Sequence, residues 1–149
     1  MNVKEVDETG DRLLVIFDGH CGFCYGWVRW LVRRDRRDRL RFAAFGSPPT
    51  AALEARHARL LESGGSPETI LVFRNPFESD EQVLVRFAAT LAVLRELPLP
   101  WPAVAKGLGC IPGFLGDSAY RLMARWRYRI RGRLESCPLP TAEERERFL

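Results

Sequence analysis

Two cysteines three positions apart, Cys21 and Cys24, lie in the stretch Asp18-Gly19-His20-Cys21-Gly22-Phe23-Cys24. Two thiols so spaced can exchange with a disulfide: one sulfur attacks, and the other resolves the mixed disulfide. The same pair could instead be half of a zinc site, or two inert structural thiols. A zinc site needs a second ligand pair at similar spacing. The other cysteines, Cys110 and Cys137, stand alone, and the two histidines, His20 and His57, form no ligand pair. Zinc would require Cys21, Cys24, Cys110 and Cys137 to converge, so redox exchange is the preferred reading and no metal is expected. No glycine-rich phosphate loop or nicotinamide fingerprint is present. No cofactor is expected, and electrons should arrive from an external thiol.

The dithiol is placed by what flanks it. Leu13-Leu14-Val15-Ile16-Phe17 reads as a buried strand. After it, Cys24, Trp27, Val28, Leu31 and Val32 fall on one helical stripe, so a helix runs from about Gly22 to Arg34. Cys21 then stands at the first turn, where unpaired N–H groups favour a thiolate over a thiol. Cys24, on the stripe, faces the core. The pair divides into an exposed attacking thiol, Cys21, and a sheltered resolving thiol, Cys24. Two residues support it. His20, if protonated, would stabilise the thiolate. Asp18 could cap the helix or accept a proton, and its charge would oppose a nearby thiolate. Trp27 and Trp30 read as core or as an aromatic platform for a peptide.

The rest of the chain supplies further elements. Leu40–Phe45 is a second strand, parallel to the first because a helix joins them. Ser47-Pro48 starts a helix carrying Leu53, His57, Leu60 and Leu61, which stops near Gly64-Gly65. His57 reads as a boundary packing residue. Thr69–Arg74 and Gln82–Arg86 form an antiparallel hairpin, followed by a helix with Phe87, Ala88, Leu91 and Leu94 on one face. The order is βαβ, α, ββ, α. Beyond the proline-rich 97–102 connection, helices are expected over Ala103–Leu108 and from about Asp117 to Arg131. The second would put Ala119, Met123, Trp126 and Ile130 on one face. Pro138–Leu149 is charged and expected to be loosely held.

Composition narrows the class. With 149 residues, 46% of them hydrophobic, the chain can bury the core of one domain. Four cysteines are too few for a disulfide-rich secreted scaffold. The polar, acidic start is no signal peptide, and no apolar run reaches the roughly 18 residues a membrane span needs. A cytoplasmic location is expected, and its reducing poise favours reductase chemistry. The net charge of +4 rests almost wholly on arginine, Lys4 and Lys106 being the only lysines. The cluster at 33–39 suits a solvated helix end. The competing reading is an arginine-rich interaction module, but no nucleic-acid partner is expected.

The chain resembles the DCC family of thiol–disulfide oxidoreductases. The signature is Asp18, Cys21 and Cys24, and the closing pattern is Tyr120, Ala124, Arg127-Tyr128, Gly132 and Cys137-Pro138-Leu139-Pro140. The resemblance selects a thioredoxin-like α/β fold, a mixed four-stranded sheet over 13–97 with a helical extension over 98–137 packed on it. Residues 1–12 and 138–149 read as tails from their polar and charged composition. The resemblance implies a protein-disulfide reductase acting on a protein or small-molecule disulfide. Two features depart from the pattern. Arg86-Phe87-Ala88 lacks the serine often found before that alanine, and Pro67 is not directly before Thr69, where a thioredoxin cis-proline would stand.

Overall fold

The structure, a computed structural model, describes residues 12–59, 70–76, 79–131, 141–142 and 144–148. The central strand β1 (Leu13–Phe17) is buried at every position. Leu13, Val15 and Phe17 join one core cluster, while Leu14 and Ile16 join another on the opposite face. A strand covered on both faces has no polar side to alternate, hence the unbroken apolar run. Helix α1 (Gly22–Arg34) and strand β2 (Leu40–Ala44) follow, and β1 pairs with β2 in parallel, Val15 opposite Phe42. A short 3-10 turn at Pro48–Thr50 leads into α2 (Ala51–Arg56). The hairpin is β3 (Leu71–Arg74) and β4 (Gln82–Val85), and β3 runs antiparallel to both β1 and β4. The sheet order is β2-β1-β3-β4. The mixed four-stranded sheet agrees with the thioredoxin-like expectation.

Helix α3 (Arg86–Glu96) starts directly from β4, with Arg86 at φ 54° turning the chain out of the sheet. α4 (Trp101–Leu108) packs on α3, and α5 (Gly113–Arg131) packs on α1 and α3. Both added helices start earlier than expected. The alternating arginines of 125–131 are helical, as residue propensities favour.

The inward face of α5 differs from the expected one. Met123 and Trp126 are 42% and 50% exposed, and Ala119 is exposed too. Gly116 and Tyr120 are buried and Ala124 half-buried, at spacing i, i+4, i+8. Two contacts choose this face. A Cβ at Gly116 would fall inside the Phe87 ring, so only glycine lets the two helices approach this closely. The Tyr120 hydroxyl accepts the Ile70 N–H at 3.0 Å, joining α5 to the start of β3. Phe87 occupies the position where the family resemblance leads one to expect serine.

The closing segment is also held more firmly than expected. Phe148 forms a parallel bridge to Phe42 and packs its ring 5.7 Å from Phe42 and 6.1 Å from Phe17. It thus covers the open edge of β2. Asp35 ends α1, its backbone N–H donating to the Leu31 carbonyl, and its fully buried carboxylate accepts N–H bonds from Arg39 and Leu40 and pairs with Arg147 at 2.6 Å. Burial raises the Glu144 pKa, but the Thr141 N–H and the Arg29 guanidinium outweigh it and hold the carboxyl below its ordinary value. Asp38 is likewise lowered, first by its hydrogen bond to Arg41, with Arg12 and Arg147 adding to it. The basic run from residue 33 is therefore partly ion-paired: Arg39 binds Glu96 and Arg41 binds Asp38, while Arg33, Arg36 and Arg37 stay exposed.

Carboxyls with lowered folded-state pKa values contribute stability that is present above their ordinary range and lost as pH falls through the folded value. Docking of the C-terminal segment should therefore weaken below about pH 4. Phe148→Ala should cost about 1–3 kcal/mol at neutral pH, and clearly less near pH 3.5. Denaturant unfolding at both pH values checks this. An unchanged midpoint at neutral pH would show that the segment does not stabilise the fold.

Candidate functional site

The site begins where β1 leaves the sheet. The Cys21 N–H bonds the Asp18 carbonyl at 3.2 Å, and the His20 N–H bonds Asp18 Oδ1 at 2.9 Å. Asp18, 6% exposed, thus closes the turn between strand and helix. It does not cap α1; Cys21 does. Cys21 has extended backbone angles, φ −92° and ψ 111°, and its Sγ accepts the Cys24 N–H at 3.2 Å. A sulfur here replaces the side-chain oxygen usual at an N-cap. Its carbonyl accepts the Tyr25 N–H at 2.9 Å, the first helical bond. The helix start, rather than a disulfide, draws Cys21 towards Cys24, and neither sulfur is in a disulfide.

Exposure departs from expectation. Cys21, expected to be the exposed thiol, is fully buried, and Cys24 is 4% exposed. The spacing locates a helix start but carries no information about what folds over it. Cys24 shares the inner side of α1 with the core residues Val28 and Leu31, as its stripe implied. The His20 side chain is exposed, so among the two supporting residues only Asp18 is buried into the turn.

The other singled-out residues lie elsewhere. Cys110 is exposed in the turn after α4, its Sγ 3.6 Å from the Lys106 carbonyl. Cys137 and Pro67 fall outside the described residues, as do Leu60, Leu61 and Gly64-Gly65. Among the described residues no group of three or more His, Cys, Asp or Glu side chains could hold a metal ion. His57 packs against Phe73, ring centroids 5.3 Å apart, with Nε2 2.7 Å from Glu81 Oε1. It ties α2 to the hairpin and is remote in role from the thiols. Trp30 stacks edge-on to Trp101 at 4.7 Å, with Arg34 over its face at 4.1 Å.

Sequence reasoning missed what surrounds Cys24. A small cavity is bounded by Cys24, Trp27, Ile70, Tyr120, Met123 and Ala124, together with Phe23 and Thr90. Three of these come from α5. The available signal was Tyr120 and Ala124, which share one helix face and belong to the closing pattern that carried the family resemblance.

Comparison with known proteins identifies the family. A family model described as DCC1-like thiol-disulfide oxidoreductase matches residues 15–133. The "DCC family protein At1g52590, chloroplastic" of Arabidopsis thaliana is 32% identical over 140 residues, 92% of this chain and 77% of that protein. The "Uncharacterized protein YuxK" of Bacillus subtilis (strain 168) is 29% identical over 143 residues, 96% of this chain and 97% of that protein. No solved structure matches the chain significantly. No described helix is long and apolar enough to cross a membrane. The family match runs from β1 through both thiols and past the end of α5, and the chain belongs to the DCC1-like thiol-disulfide oxidoreductase family.

Proposed function

We propose that the protein is a protein-disulfide reductase in which Cys21 attacks and Cys24 resolves. The observation that carries this is the hydrogen bond from the Cys24 N–H to Cys21 Sγ at the head of α1. An N–H directed at sulfur, with the helix dipole behind it, stabilises negative charge there. Cys21 is thus the better nucleophile, and Cys24, one turn on, is within reach of any sulfur bonded to it.

The exchange balances in two steps. The Cys21 thiolate forms a bond to one sulfur of the substrate disulfide, and the other sulfur leaves as a thiolate and takes a proton. Cys24 then loses its proton and bonds to Cys21 Sγ, releasing the second substrate sulfur as a thiol. Two electrons pass to the substrate, and Cys21–Cys24 is left as a disulfide. An external dithiol returns the pair to the reduced state. Asp18 serves as a positioning residue, holding the turn that delivers Cys21. A cytosolic location belongs to the same proposal, since a reducing glutathione pool keeps such pairs charged with electrons.

Burial sets a condition on the first step. A substrate sulfur must come into line with Cys21 Sγ, so the cover over the dithiol has to open. In the reduced native protein, a bulky maleimide should therefore label the exposed Cys110 before Cys21 or Cys24. Peptide mass mapping at limiting reagent checks this. Faster labelling of Cys21 would show that the dithiol is open at rest.

With an external dithiol present, the protein should accelerate reduction of insulin disulfides. Cys21→Ser should abolish turnover. Cys24→Ser should instead accumulate a mixed disulfide through Cys21, seen as a mass increase removed by reductant. Equal residual turnover in both variants would contradict the division of roles.

A further inference from the structure

We infer that the cavity beside Cys24 is a side-chain pocket, which takes an aromatic or large aliphatic residue flanking the cysteine of a protein disulfide. This rests on the reductase reading and assigns it a substrate class.

The cavity holds about 170 Å³. An apolar cavity on the order of 150 Å³ stays dry and accepts a benzene ring. Its wall is apolar because the polar groups within it are engaged elsewhere. The Tyr120 hydroxyl accepts the Ile70 N–H at 3.0 Å, and Thr90 Oγ1 donates to the Arg86 carbonyl at 3.1 Å. Pockets that bind organic groups combine apolar walls with few polar atoms in this way.

Two features set the cavity apart from a packing gap. Cys24 forms part of its wall, so anything seated there lies against the dithiol. It also reaches the surface, since Met123 on its rim is 42% exposed. A second, more open groove of about 450 Å³ continues from the shared residues Phe23, Trp27 and Thr90 to Trp30 and Trp101. An inner chamber sized for one ring, opening on an aromatic groove, suits a peptide with a single anchoring side chain. A polar residue there would lose its hydration without finding a partner.

The pocket is built by the C-terminal extension. Tyr120, Met123 and Ala124 of α5 close the side that α1 and the start of β3 leave open. In this arrangement α5 acts on specificity, and the chemistry stays with the dithiol.

The test compares the symmetric disulfides of two tetrapeptides, Gly-Cys-Phe-Gly and Gly-Cys-Ser-Gly, as substrates of the full chain with an external dithiol. Each turnover yields two peptide thiols and the Cys21–Cys24 disulfide. The phenylalanine peptide should have a kcat/KM about tenfold higher or more. Ala124→Leu, which fills the chamber, should bring that ratio close to one. Met123→Glu, a half-exposed rim position that the fold tolerates readily, should also reduce it, and it serves if the filled variant fails to fold. Turnover of both peptides at equal rates would overturn the pocket while leaving the reductase standing. A preference unchanged in both variants would also overturn the pocket. Turnover of neither peptide would overturn the reductase reading and this one with it, an outcome told apart by peptide-thiol release no faster than with the external dithiol alone.

Discussion

The hydrogen bond between the Cys24 N–H and Cys21 Sγ ties the chemistry to the fold. It exists because β1 ends at Phe17 and the chain must start a helix within a few residues. Asp18 makes that start tight, accepting the His20 N–H on its carboxylate and the Cys21 N–H on its carbonyl. β1 in turn is fixed by burial on both faces, between β2 and β3. A shift of one residue in β1 would exchange the two core faces, so the position of the dithiol is set by the register of the central strand. A cap made by sulfur is a weaker cap than one made by serine or aspartate.

The added helices close the site from the other side. Gly116 lets α5 come against Phe87, and that approach brings Tyr120 to the N–H of Ile70. The head of β3, the dithiol helix and α5 therefore meet at one place. The C-terminal segment acts at the opposite edge, where Phe148 covers β2 and Arg147 reaches the buried carboxylate of Asp35. Asp35 caps the far end of α1, so that helix is anchored at its start by Cys21 and at its end by a residue 112 positions away in sequence.

How much of this could be read beforehand follows from which forces are local. The strand–turn–helix around Cys21 and Cys24 was legible, because the apolar run and the i, i+3, i+4 stripe are properties of neighbouring residues. The hairpin and the presence of α3 were legible for the same reason, but the face α3 buries was not: Ala89, Ala92, Val93 and Leu94 are buried, whereas Ala88, expected on the inner face with Phe87, Leu91 and Leu94, is exposed. The burial of Cys21 was not, because the spacing of residues along the chain carries no information about what packs over a helix start. The face of α5 was misjudged because the helix carries two apolar stripes, and periodicity ranks Met123 and Trp126 above a glycine and a tyrosine. The choice was made by a missing Cβ at Gly116 and a hydroxyl at Tyr120, neither of which registers as hydrophobicity. Phe148, a lone aromatic among charges, looked like part of a tail; its partners Phe17 and Phe42 lie more than a hundred residues earlier.

The reduction potential of the Cys21–Cys24 pair tests the redox account most directly. The proposed reading rests on the Cys24 N–H at the head of α1 directed at Cys21 Sγ, with the carboxylate of Asp18 three residues earlier. On the proposed reading the pair should fall with the reductants, between about −270 and −200 mV, rather than near the −120 mV of a strong oxidant. Equilibration in glutathione or dithiothreitol buffers, with mass mapping of the disulfide, should give a single two-electron transition in that range between Cys21 and Cys24. Failure of the two sulfurs to form a disulfide at any poise would contradict the account.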